Sequence, residues 1–139
     1  MRPLLKAAAA LVNGASLTAP AVSEPGPHAV INAAEALLRA YKAEDPDAFR
    51  QLLAPSLQDR YSGDDLRGIL ARCRALTYEI DRFSIPSWGT RYFGFFGVYA
   101  EMAVLEMILE IDDSERIVHW VITNDVNAGD QPCRVGETE

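Results

Sequence analysis

The sequence predicts an α+β fold in which three N-terminal helices pack on an antiparallel sheet of at least four strands. Three observations carry that prediction. From Ala29 to Ala75 the apolar residues recur at three- and four-residue spacing. After Ala75 the spacing drops to two, so side chains alternate between the faces of strands. The alternating runs are separated by short polar turns rather than helices, which makes the sheet antiparallel, with the helices on one of its faces.

Val30, Ala33, Ala34, Leu37, Leu38 and Tyr41 share one face of a first helix over Ala29 to Ala43. A second, short helix follows AEDPDAF. Asp45 suits the cap, Pro46 the first turn, where its missing N–H costs nothing, and Asp47 the positive end of the dipole. Ala54-Pro55 ends it. Ser62 opens a third helix, SGDDLRGILARCRAL, with acids first and Arg72 and Arg74 last. Leu76, Tyr78 and Ile80 then alternate with Thr77, Glu79 and Asp81 as a first strand. Phe83 and Ile85 fall on the opposite parity, which predicts a bulge near Arg82 before a turn at Pro86 to Gly89. Arg91 to Tyr99, Ala103 to Ile111 and RIVHWVITN complete the meander, the last two joined by the turn Asp112 to Glu115.

The chain of 139 residues suits one domain. Residues 1–24 stand apart: Arg2 and Lys6 precede any acid, and all 20 acidic residues lie from Glu24 onward. This segment reads either as a signal peptide with a small-residue site at Ala19-Pro20-Ala21, or as a flexible Ala-rich arm. The first reading makes the protein periplasmic or secreted, the second cytoplasmic. The domain spans 25–126, and 127–139 reads as a polar tail. Cys73 continues the stripe of Leu66, Ile69 and Leu70 and is expected as a buried thiol. A bond to Cys133 would require export.

The stretch RYFGFFGVYAEM, Arg91 to Met102, partly fits the aromatic pattern of an RNA-binding strand. A net charge of -7 opposes that, because affinity for nucleic acid rests on cations displacing counterions from phosphates. No run of about 18 apolar residues predicts a membrane span. The stretch is instead expected as a strand buried on both faces, with Tyr92, Phe96 and Val98 to one side and Phe93, Phe95 and Tyr99 to the other. Gly94 and Gly97 are expected to permit curvature or a bulge.

An amphipathic helix, a short helix opened by Glu-Asp-Pro-Asp, a third helix and long strands ending in RIVHWVIT together resemble the nuclear-transport-factor-2-like superfamily, which includes ketosteroid-isomerase-like and SnoaL-like proteins. The resemblance covers about residues 29 to 125. It implies a curved sheet wrapped around the helices as a cystatin-like cone roll, an apolar cavity, and homodimers formed through the outer sheet face.

Isomerase sites of that kind set a carboxylate base and hydroxyl donors in an apolar cavity. Here strand parity places Glu79, Asp81, Glu106 and Glu110 outside. The acid–base candidates are therefore few: His119, which titrates near neutrality, and Asp81 beside the expected bulge. Tyr41, Tyr61, Tyr78, Tyr92 and Trp120 are the candidates to line a ligand pocket, though each also suits a plain core position. No metal cluster, phosphate loop or cofactor motif is present. The leading expectation is a small-ligand-binding or dimerising domain for a small hydrophobic molecule. The alternative is an isomerase, cyclase or hydratase working by general acid–base chemistry.

Overall fold

The computed structural model describes residues 23–137. Most of the segment read as a signal peptide or arm lies outside them. The fold is α+β, with helices first and an open antiparallel sheet after.

Helix α1, Ala29–Lys42, buries Val30, Ala34, Leu37 and Tyr41 along the expected stripe. Helix α2, Pro46–Gln51, starts as its sequence dictates: Asp45 Oδ1 accepts from the Ala48 amide at 3.0 Å, and Pro46 occupies the first turn. That helix ends at Gln51, and Pro55 begins another, α3, Pro55–Arg60. The described residues thus hold four helices where three were expected, because a proline is preorganised for the first turn of a helix. Helix α4, Gly63–Thr77, opens with a reciprocal cap. The Asp65 amide donates to Ser62 Oγ at 3.1 Å, and the Ser62 amide donates to Asp65 Oδ2 at 2.9 Å.

The first strand begins later than the alternation of Leu76, Tyr78 and Ile80 implies. Thr77 lies four residues beyond Cys73 on the buried stripe, and its hydroxyl meets Tyr41 Oη at 2.6 Å, so helical packing holds these residues. Tyr78 then takes a left-handed backbone, φ 56°, and ends the helix.

Six strands follow: β1 Ile80–Phe83, β2 Trp88–Gly89, β3 Phe93–Ala100, β4 Val104–Ile111, β5 Ile117–Thr123 and β6 Arg134–Gly136. Their order is β1-β3-β4-β5-β6, with β2 also on β3. The expected bulge is present: Ile80 faces Ala100 and Arg82 faces Tyr99, leaving Asp81 as the extra residue. The β3–β4 register, in contrast, runs unbroken from Phe93–Glu110 to Tyr99–Val104, so Gly94 and Gly97 make no bulge there. Gly94 serves close approach instead. A Cβ at that position would stand 2.8 Å from Val30 Cγ1 of α1 and 2.7 Å from the Phe96 ring.

Strand β3 is not buried on both faces. Gly94, Phe96 and Val98 are buried, whereas Phe93 and Phe95 are half-buried and Tyr92 and Tyr99 exposed. The helices cover one face only. On that inner face Leu105, Met107 and Leu109 of β4 and Trp120 and Ile122 of β5 join Leu37, Tyr41, Phe49, Leu53 and Leu66 in a single core.

The C-terminal residues expected as a polar tail extend the sheet. Strand β6 pairs with β5, His119 opposite Gly136 and Trp120 opposite Val135. Cys133, just before it, is bonded to Cys73 of α4, with 4.7 Å between the Cα atoms. Cys73 is buried as expected but as a disulfide, not a thiol. Gly136 makes the edge pairing feasible: its φ is 79°, and a Cβ there would stand 2.3 Å from the Val118 carbonyl oxygen.

Candidate functional site

The residues singled out from sequence do not converge on one pocket. Tyr41 is buried between α1 and α4, and burial raises its pKa against the lowering effect of its bond to Thr77. Tyr61 follows α3, and its hydroxyl accepts from the Gly136 amide at 3.2 Å. Tyr78 is 56% exposed at the end of α4. Trp120 is fully buried, edge-on to Phe49 with ring centroids 5.3 Å apart; its indole N–H has no partner among the described residues. Tyr92 lines a concave surface together with other aromatics.

The two acid–base candidates are separated by β3 and β4. Asp81, in the β1 bulge, has a side chain that is 81% exposed and 4.0 Å from Arg82. His119 lies on β5 facing Glu110 on one side and Gly136 on the other, 2% exposed. Burial, and secondarily the charge of Arg134, lower its pKa, which favours the neutral imidazole. Its Nδ1 has no hydrogen-bond partner among the described residues. No cluster of three or more metal-ligating side chains occurs among them either, and no described helix is long and apolar enough to cross a membrane.

Two hollows merit comparison. The larger, about 660 Å³, runs between α1, α2 and the start of β5 and is walled mainly by alanines. Two of its polar side chains hold backbone: Asp45 caps α2, and Arg116 donates to the Gln51 carbonyl at 2.8 Å and the Leu53 carbonyl at 3.2 Å. Asn32, Arg39, Gln51 and Glu115 also line it, and no aromatic residue does.

The second hollow, about 350 Å³, opens on the outer sheet face and is lined by Trp88, Thr90, Tyr92, Phe93, Glu110 and Ile111. Its construction follows from register. Phe93 of β3 stands directly across from Glu110 of β4. Strand β2 folds back on β3, with Trp88 opposite Phe95, and this brings the Trp88 ring edge-on to Phe93 at 5.2 Å and 68°. The Tyr92 hydroxyl donates to Asp113 at 2.7 Å, and that bond to a carboxylate raises its pKa and keeps it protonated. Trp88 remains 66% exposed. The sequence reading missed Trp88, Phe93 and Glu110; the available signal was the Trp88-Gly89 turn sitting just before a strand rich in aromatics.

Comparison with models of protein families, with curated proteins and with solved structures finds no match for this chain.

Proposed function

We propose that the protein is a small-ligand-binding domain whose recognition surface is the outer face of its sheet. The observation that carries this reading is the Trp88–Tyr92–Phe93 hollow, an aromatic-lined concavity of about 350 Å³ within the size range of small-molecule sites. A chain that buries Phe49, Phe96 and Trp120 completely, yet leaves a tryptophan two-thirds exposed above a phenylalanine, keeps apolar area available for a partner molecule. The order of helices then meander keeps the likeness to nuclear-transport-factor-2-like proteins as a working frame, with the ligand moved from the interior of the cone to its outside. The Cys73–Cys133 bond supports placement in an oxidising compartment, periplasmic or extracellular.

Trp88 supplies the test. A panel of small apolar and amphiphilic compounds is titrated while tryptophan emission and thermal stability are followed, in the wild type and in Trp88→Phe. The expected result is a perturbed exposed-tryptophan signal and a raised Tm in the wild type, with the emission change lost in the variant. Compounds that change neither quantity across the panel sink the proposal. Sedimentation at high concentration separates it from the reading in which the same sheet face pairs with a second copy of the chain, since exposed Tyr99 and Val104 lie on that face too.

A further inference from the structure

We propose that the Trp88–Tyr92–Phe93 hollow takes a pyranose ring of a neutral saccharide, stacked on the indole and held at its edge by hydrogen bonds to Tyr92, Asp113 and Thr90. This rests on the small-ligand reading above and adds the chemical class of the ligand.

The indole stands on a fixed hairpin. The Ser87 amide donates to the Phe95 carbonyl and the Thr90 amide to the Phe93 carbonyl, each at 2.8 Å. The Tyr92 amide donates to Thr90 Oγ1 at 3.1 Å, which ties the turn to the strand that follows. Trp88 is thus 66% exposed on a backbone that is already ordered, and a ligand stacked on it loses little to ordering the chain.

The contact of Trp88 with Phe93 leaves room for such a ligand. At 5.2 Å and 68° one ring turns its edge to the other, so the pair occupies at most one face of the indole. An aromatic face carries negative quadrupole potential. A pyranose with equatorial hydroxyls offers the complement, a flat face of C–H bonds polarised by neighbouring oxygens, with its hydroxyls around the rim.

The polar groups beside the rings match that rim. The Tyr92 hydroxyl donates to Asp113 Oδ1 at 2.7 Å, which leaves the Tyr92 oxygen and Asp113 Oδ2 as acceptors. Thr90 Oγ1 accepts from the Tyr92 amide, so its own O–H remains to donate. Acceptors and a donor beside one aromatic face suit a ligand that is apolar on its face and hydroxylated on its edge. A wholly apolar ligand would cover these groups without replacing their hydrogen bonds to water. Asp113 and the net charge of -7 oppose an anionic sugar, which leaves the neutral ones.

The probes are cellotetraose, maltotetraose, mannotetraose and chitotetraose, titrated by calorimetry and by tryptophan emission alongside the panel of apolar and amphiphilic compounds. At least one saccharide is expected to bind the wild type and to shift the emission of the exposed tryptophan. Trp88→Leu is expected to weaken that binding about tenfold, with Tm and circular dichroism verifying the fold. Asp113→Asn keeps an oxygen for Tyr92 but replaces the outward acceptor by a donor, and is expected to weaken it about three- to tenfold. Should Trp88→Leu fail to fold, Asp113→Asn carries the test, since that residue is exposed. Saccharide binding that the variants leave unchanged overturns its placement in this hollow. Silence of every saccharide, where compounds of the panel still perturb Trp88, overturns only the saccharide assignment. Silence of every compound overturns both.

Discussion

The two tryptophans occupy opposite faces of one sheet. Trp120, on the inner face across from Leu109, meets Phe49 edge-on at 5.3 Å; Trp88, on the outer face, meets Phe93 edge-on at 5.2 Å. The local aromatic contact is nearly the same, yet Trp120 is fully buried and Trp88 is 66% exposed. Ring pairing therefore does not decide burial here; the layer above the sheet does. Helices α1 and α2 close over the inner face, and the outer face keeps its aromatic area for other uses.

The most forceful way to break this comparison is to truncate each indole in turn. Trp120→Ala removes a ring enclosed on all sides and is expected to destabilise by about 3–5 kcal/mol in urea unfolding. Trp88→Ala is expected to stay within about 0.5 kcal/mol, as for exposed positions generally. Comparable losses at both sites would mean that the outer face is covered in solution, which points to a second copy of the chain.

The disulfide offers the next largest effect. It ties α4, a helix on the inner side, to the chain entering β6 at the sheet edge, across 60 residues of sequence. Cys73→Ala with Cys133→Ala is expected to cost about 2–4 kcal/mol, mostly by freeing the unfolded chain. Hydrogen exchange is expected to rise most along β5, where the pairing of Trp120 with Val135 and of Val121 with Arg134 depends on β6 staying docked. Protection of β5 unchanged by the double substitution would show that Gly136 and Val135 hold the edge without the covalent tie.

The same contrast between layers explains what the sequence made legible. Periodicity located α1, α4 and β4, because each buries a single face and the pattern records it, and β5 was located although both of its faces are buried. The parity break near Arg82 located the bulge at Asp81. Local pattern failed where a distant partner decides. Thr77 belongs to a helix because Tyr41, 36 residues away, accepts it as a core neighbour. β6 and the disulfide exist because β5 offers a free edge and Gly136 can lie against Val118, neither of which a short polar segment announces. Tyr92 was foreseen as pocket-lining, but Trp88 and Glu110 reach it only through pairing of β2 and β4 with β3, a register that alternation along one strand does not encode.

His119 gives the smallest effect and the finest distinction, because it is a buried polar residue on the outer face. Its strand neighbours are Glu110 and Gly136, and Arg134 lies close enough to act on its charge. Burial, then Arg134, lower its pKa in the folded protein, while the unfolded chain keeps a value of about 6.5. Above that value neither state holds the proton and the group adds no pH dependence. As pH falls through it, the unfolded chain binds a proton that the folded protein resists, so stability declines by up to about 1.4 kcal/mol per pH unit until the folded pKa is reached. His119→Leu is expected to remove that slope. It is also expected to cost little at neutral pH, since Nδ1 has no partner among the described residues and leucine leaves no buried polar atom unsatisfied. Urea unfolding at about pH 7.5 and about pH 5.5, roughly one unit either side of the unfolded histidine value, measures both quantities. His28, exposed ahead of α1, is present in both proteins and cancels. A variant that keeps the full wild-type slope would assign the acid sensitivity to carboxylates and place His119 in contact with water, making this stretch of the outer face more open than the buried imidazole implies.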